Sequence, residues 1–163
     1  MPINIANFFD ADRRSAKAGE TITMGMVVKV SDWGNGERKL LKLGDADSAQ
    51  LVNGKYGVAY KVSADAAQVE STTAPSSFGD RTVTIVSGDN VVEVRRGAII
   101  EYSADLLHSS LDPARGGTTP TVEQDLAIKS SQWCTTGTGS AITSPIVARV
   151  FRVFGTKVLV ELV

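Results

Sequence analysis

The sequence predicts an all-β protein, a single compact β-barrel or β-sandwich domain with an extended N-terminal arm. Three observations carry this. Short apolar runs alternate with polar residues and are separated by Gly, Pro and small polar clusters, at the spacing of barrel or sandwich strands. The final stretch, residues 145–163 (Pro-Ile-Val-Ala-Arg-Val-Phe-Arg-Val-Phe-Gly-Thr-Lys-Val-Leu-Val-Glu-Leu-Val), reads as two strands about a Gly155-Thr156 turn. Residues 1–18 keep neither a helical nor a strand period.

At 163 residues the chain is long enough for one independently stable core. The division expected is an arm over 1–18 and a β-rich domain over 19–163. Hydrophobic residues at 42% and charged residues at 21% place the chain among folded proteins rather than disordered ones. A formal net charge of −1 gives no general electrostatic case for nucleic acid or a membrane surface, so neither is expected as a partner. Aromatics at 6% speak against base stacking or a sugar-binding platform. A lone cysteine, Cys134, leaves no internal disulfide to form. The first ten residues lack the basic opening and apolar run of a signal peptide, and no window has the length of a membrane-spanning helix. The chain is therefore expected to be made in a cytoplasm.

In the arm, Phe8 and Phe9 stand among Asn7, Asp10, Asp12, Arg13 and Arg14. Leaving such rings in water costs about 1.5–3 kcal/mol each relative to burial. The arm is thus expected to pack on its own domain or to dock on a partner. From residue 19 the texture is β. A strand is expected over 26–30, and a turn at Ser31-Asp-Trp-Gly-Asn-Gly36 leads into a pairing strand over 38–43. A loop over 44–49 precedes a strand over 56–62, with a bulge or close backbone approach at Gly57. Residues 63–80 are small and polar, a long excursion of the kind that serves a function or lies on a partner, and Phe78 is its aromatic. Strands over 82–86 and 91–96 flank a Ser87-Gly-Asp-Asn90 turn, Gly97 breaks the chain, and 98–102 continues as a strand. A helical turn over 103–107 leads into the segment 111–120, where Pro113, Gly116, Gly117 and Pro120 rule out regular structure over most of its length. Short strands at 126–129 and 133–134 complete a count of eight to ten before the closing hairpin. In that hairpin the apolar residues fall on both faces, with only Arg149, Arg152, Lys157 and Glu161 for solvent, so both faces are expected to be substantially buried.

No catalytic pattern emerges. His108 has Ser109, Ser110, Asp105 and Asp112 nearby, but a triad is a spatial arrangement and no nucleophile elbow is present, so His108 reads as a loop residue. Cys134 beside Trp133 reads as a small buried hydrophobe. One His and one Cys cannot build a typical zinc site, and the Asp45-Ala-Asp47 and Gly88-Asp-Asn90 oxygens lack the EF-hand pattern. Gly137-Thr-Gly139 is not followed by a phosphate-loop Lys. Arg13-Arg14 and Arg95-Arg96 read as solvated or salt-bridged, and Asp80, Glu93 and Glu101 form no recognisable acid–base pair. No enzyme activity, metal or cofactor is expected. The candidate partner-binding residues are Phe8, Phe9, Arg13 and Arg14 of the arm and Phe78 of the 63–80 loop.

Gly19-Glu-Thr-Ile-Thr-Met-Gly-Met-Val-Val-Lys-Val, then Lys39-Leu-Leu-Lys-Leu, then Tyr56-Gly-Val-Ala-Tyr, resembles the opening of the capsid decoration, or cement, proteins of tailed bacteriophages. Residues 145–163 are similar to the final hairpin of those proteins. The resemblance runs loosely over 19–163 and does not include 1–18. It implies a β-rich structural virion protein held in many copies on the outside of a capsid. Its partners would be the major capsid protein and neighbouring copies of itself, as trimers foremost and dimers second. A receptor- or glycan-binding module of a phage fibre or tail is the alternative.

Overall fold

The computed structural model describes residues 3–7, 13–32, 36–60 and 84–163. The all-β expectation holds. Thirteen strands appear among the described residues: β1 (Ile3–Asn7), β2 (Arg13–Ala18), β3 (Ile22–Thr23), β4 (Val27–Asp32), β5 (Arg38–Lys42), β6 (Tyr56–Tyr60), β7 (Thr84–Ile85), β8 (Asn90–Val94), β9 (Ile99–Ser103), β10 (Leu126–Lys129), β11 (Gln132–Thr135), β12 (Ala148–Phe154) and β13 (Lys157–Leu162). One five-residue helix, α1 (Ser48–Val52), and three 3-10 turns are the helical content described.

Between barrel and sandwich, the structure has a barrel. Strands close in the order β2-β5-β4-β6-β8. The expected pairing of 26–30 with 38–43 is the antiparallel β4–β5 ladder, with Val30 opposite Leu40. Register fixes what shares a face. Ala16 stands opposite Val91, Ala18 opposite Leu40, Val28 opposite Gly57, and Ala59 opposite Glu93. Five strands enclose a narrow space, and Ala16, Ala18, Gly57 and Ala59 keep this inner face small. The opposite face carries Lys17, Lys29 and Lys39, all partly exposed. Gly57 has the close approach its place in a strand implied: a Cβ there would meet Glu93 Cγ at 2.6 Å and the Val94 carbonyl at 2.9 Å.

Of residues 1–18, those described form two strands: β1 pairs antiparallel with β9, and β2 lies between β5 and β8. A strand whose two edges are both paired needs no long apolar run of its own, which is why Arg13-Arg-Ser-Ala-Lys-Ala18 did not read as one.

The second sheet runs β1-β9-β13-β12, with the closing hairpin supplying its last two strands. Gly155 turns the hairpin at φ 58°. β13, held between β9 and β12, is buried on both faces as expected: Val158, Leu159, Val160 and Leu162 are all buried. β12 departs from expectation. It is the outer strand, its register slips between Val150 and Arg152, and Phe151 is turned out to solvent. A β10–β11 hairpin packs alongside and places Trp133 and Cys134 in the interior. One hydrophobic cluster runs through barrel, sheet and hairpin, from Ala16 to Leu162. Tyr102 on β9 ties the three together. Its hydroxyl donates to the Gly25 carbonyl at 2.8 Å and accepts from Trp133 Nε1 at 3.1 Å. Both polar ends are thereby satisfied in a fully buried place, where an unmade bond would cost about 1–3 kcal/mol.

Candidate functional site

The residues that could have carried chemistry have structural partners. His108 caps the 3-10 turn Ser109–Leu111, its Nδ1 accepting from the Ser110 backbone N–H at 3.2 Å. The Ser110 hydroxyl lies 3.1 Å from the same nitrogen and accepts from the Thr135 N–H. Asp112 accepts from the Ala114 N–H at 3.0 Å and from Arg115 Nε at 2.6 Å, and Arg115 also donates to the Ala104 and Leu107 carbonyls. This cluster folds a Pro- and Gly-rich segment that has little apolar surface to order it. Cys134 is fully buried, and burial pushes its thiol pKa up, away from a reactive thiolate.

Asp45 and Asp47 are taken up in the same way. Asp45 accepts from the Ser130 N–H at 2.7 Å and pairs with Lys129 at 3.0 Å. Asp47 meets Lys29 Nζ at 2.8 Å and the Gly44 N–H at 2.7 Å. These bonds hold both carboxyls below the usual aspartate range, the Ser130 N–H leading for Asp45 and Lys29 for Asp47. Among the described residues no group of three His, Cys, Asp or Glu side chains is placed to hold a metal ion.

Two surfaces stand out among the described residues. The first is the outer edge of β12. Its first half is covered: Arg149 bridges to Asp125 at 2.8 Å, the Val150 N–H donates to Gln124, and the Val150 carbonyl accepts from Glu123. Past the register slip, Phe151 is 43% and Phe154 46% exposed, and the Arg152 guanidinium sits 5.9 Å over the Phe154 ring. A bulged edge strand carrying two open aromatics and a cation has the composition of an interaction surface.

The second surface is one end of the barrel. Arg14 near the start of β2, Asp32 at the end of β4, Arg38 at the start of β5, Lys55 just before β6 and Arg95 just after β8 all line one cleft of about 600 Å³. Beneath it lies Glu93, wholly buried, in contact with the Arg38 guanidinium and 3.4 Å from Arg95 Nε. Burial pushes the Glu93 carboxyl up against the opposing pull of Arg38.

Of the partner-binding residues expected from sequence, Phe8, Phe9, Phe78 and the 63–80 loop lie outside the described residues. Arg13 has its backbone in β2 opposite Val94. Arg14 is exposed and lines the barrel-end cleft. Arg95 of the Arg95-Arg96 pair is salt-bridged, as expected. Phe151 and Phe154 were missed because both faces of the hairpin were expected to be substantially buried, whereas Phe151 shares the solvent face of Arg149 on an outer strand.

The fold and its surfaces define an all-β protein with a closed five-stranded barrel joined to a four-stranded sheet. Comparison with family models, with curated proteins and with solved structures found no match.

Proposed function

We propose that this chain is a structural, non-enzymatic virion protein that binds the outer surface of a bacteriophage capsid and stabilises the head. The major capsid protein and neighbouring copies of the chain are its partners. The observation that carries the reading is the open half of β12, where Phe151, Arg152 and Phe154 face solvent on the hairpin that resembles the final hairpin of decoration proteins. The other stretches with that similarity are β3 to β4, β5 and β6, so the likeness lies in the barrel and in the sheet. Burying the exposed part of each phenylalanine is worth about 1–2 kcal/mol. That is modest for one copy, but a contact repeated around a closed shell acts collectively.

The test uses heads stripped of decoration protein, with bound copies per head counted on purified particles. Phe151→Ser/Phe154→Ser is expected to bind at least about 30-fold more weakly than the parent chain. Its melting temperature should fall by a few degrees at most, since neither residue belongs to the buried core. Equal occupancy by the double variant would remove β12 as the contact. Failure of the parent chain to bind heads, together with clear hits on a glycan array, would replace the function by the fibre or tail alternative.

A further inference from the structure

We propose that the end of the barrel is a binding site for a compact multivalent oxyanion, a small ligand or side-chain cluster carrying two or more carboxylate or phosphate groups. This does not rest on the capsid reading. Topology assembles the site. β4 runs antiparallel to β5 and β6, β8 antiparallel to β6 and β2, and β2 parallel to β5. The starts of β2, β5 and β6 therefore meet the ends of β4 and β8 at one mouth of the barrel. Arg14, Arg38, Lys55 and Arg95 converge there from four separate parts of the chain. Barrel mouths are places where a concave, rigid surface comes ready-made.

Charge decides the ligand's sign. Among the described residues, four cations face Asp32 and the underlying Glu93, an excess of two positive charges in one cleft of a chain whose net charge is −1. A concave wall focuses that field. Shape decides its size. A cleft of about 600 Å³ accommodates a compact anion, whereas a duplex needs positive charge spread along an extended track. Ser31, Gln50 and Asn53 add neutral hydrogen-bonding groups to the lining, and Val30 is its apolar residue.

The guanidinium groups are also held in advance. Arg38 and Arg95 both lean on Glu93, and Arg95 donates to the Gly54 carbonyl as well. Their side chains are 31% and 18% exposed, so a ligand finds them partly desolvated and already oriented. Little side-chain entropy is then left to lose on binding. Glu93 here acts as a positioning residue, and Arg14 and Lys55 are the exposed arms that close on the ligand.

The experiment is calorimetric titration of the full chain with pyrophosphate, citrate and hexaglutamate, at ionic strength fixed with sodium chloride. One-to-one saturable binding of at least one of them is expected, weakened at least tenfold in Arg14→Gln/Lys55→Gln. Phe151→Ser/Phe154→Ser should bind as the parent chain does, which separates this site from the β12 surface. Binding of hexaglutamate alone would assign the oxyanions to a partner protein's acidic side chains; binding of pyrophosphate or citrate would assign them to a small ligand. Absence of saturable binding by all three, or equal binding by the double variant, would overturn the site. Tighter binding of a 24-base-pair DNA duplex that the double variant loses in parallel would overturn its compact character.

Discussion

Replacing Gly57 with alanine puts a methyl group where the barrel has no room. The new Cβ would lie 2.6 Å from Glu93 Cγ and 2.9 Å from the Val94 carbonyl oxygen. The carbonyl belongs to the β6–β8 ladder and cannot move without loosening it. Glu93 is confined as well, because Arg38 bonds its Oε2 in a wholly buried place and Arg95 Nε lies 3.4 Å from its Oε1. Overpacking of this kind costs about 1–3 kcal/mol. Against it stands a gain of about 0.4–1 kcal/mol from the stiffer unfolded chain. A net loss of roughly 1–2 kcal/mol lowers the melting temperature of a chain this size by about 2–8 °C. The assay is urea and thermal unfolding of Gly57→Ala, of Glu93→Ala and of the double variant. With Glu93 Cγ gone, the alanine penalty should fall by about 1 kcal/mol or more, the mark of two residues in contact. A Gly57→Ala chain as stable as the parent, or a penalty unchanged in the Glu93→Ala background, would show that this contact is not what keeps residue 57 a glycine.

Val160→Asp should abolish folding, because residue 160 is wholly buried on the central strand β13 and an unpaired carboxylate there has no partner or water; size-exclusion chromatography and far-UV circular dichroism read the outcome, and a monodisperse, native-melting variant would refute it. Ser87→Lys on the exposed β7–β8 turn should change stability by less than about 0.5 kcal/mol. Asp45 and Asp47 have folded-state pKa values below the ordinary 3.8, so the stability they contribute is present above that value and is lost as pH falls through the lower, folded-state values. Urea midpoints measured from pH 5 to pH 2 should fall less steeply for Asp45→Asn/Asp47→Asn than for the parent chain, and identical slopes would show that the two carboxylates are not linked to folding.

The strands legible in sequence were those with their own apolar pattern. β4, β5, β6, β8, β9 and the closing hairpin all stand where alternation placed them, to within a residue or two. Those that were not legible take their order from neighbours. β2 is polar and lies between two paired strands, β1 takes its place from β9, and β3 is two residues long and pairs with β7, which falls within the strand expected over 82–86. This is why eight to ten strands were expected and thirteen are seen. Helix α1 was missed because a single turn with Leu51 as its buried residue has no period to detect. The cations of the barrel-end cleft could not be brought together from sequence, since they span the chain from Arg14 to Arg95 and meet only when the barrel closes. One signal was available: Glu93, a lone carboxylate in Val-Val-Glu-Val, stands at a buried alternation position and so requires cationic company.

The strand order β1-β9-β13-β12 also bears on how the chain comes off the ribosome. β9 is complete once Ser103 has been made, yet its neighbour on one side, β13, begins only at Lys157. Throughout the synthesis of the intervening segment an apolar strand bearing Ile99, Ile100 and Tyr102 waits with one edge unpaired. Such an edge invites pairing with the same strand of another nascent chain. Yield in a cell should therefore depend on how quickly the hairpin follows, and slow codons between residues 104 and 156 would favour aggregates over a protein whose finished form conceals that edge.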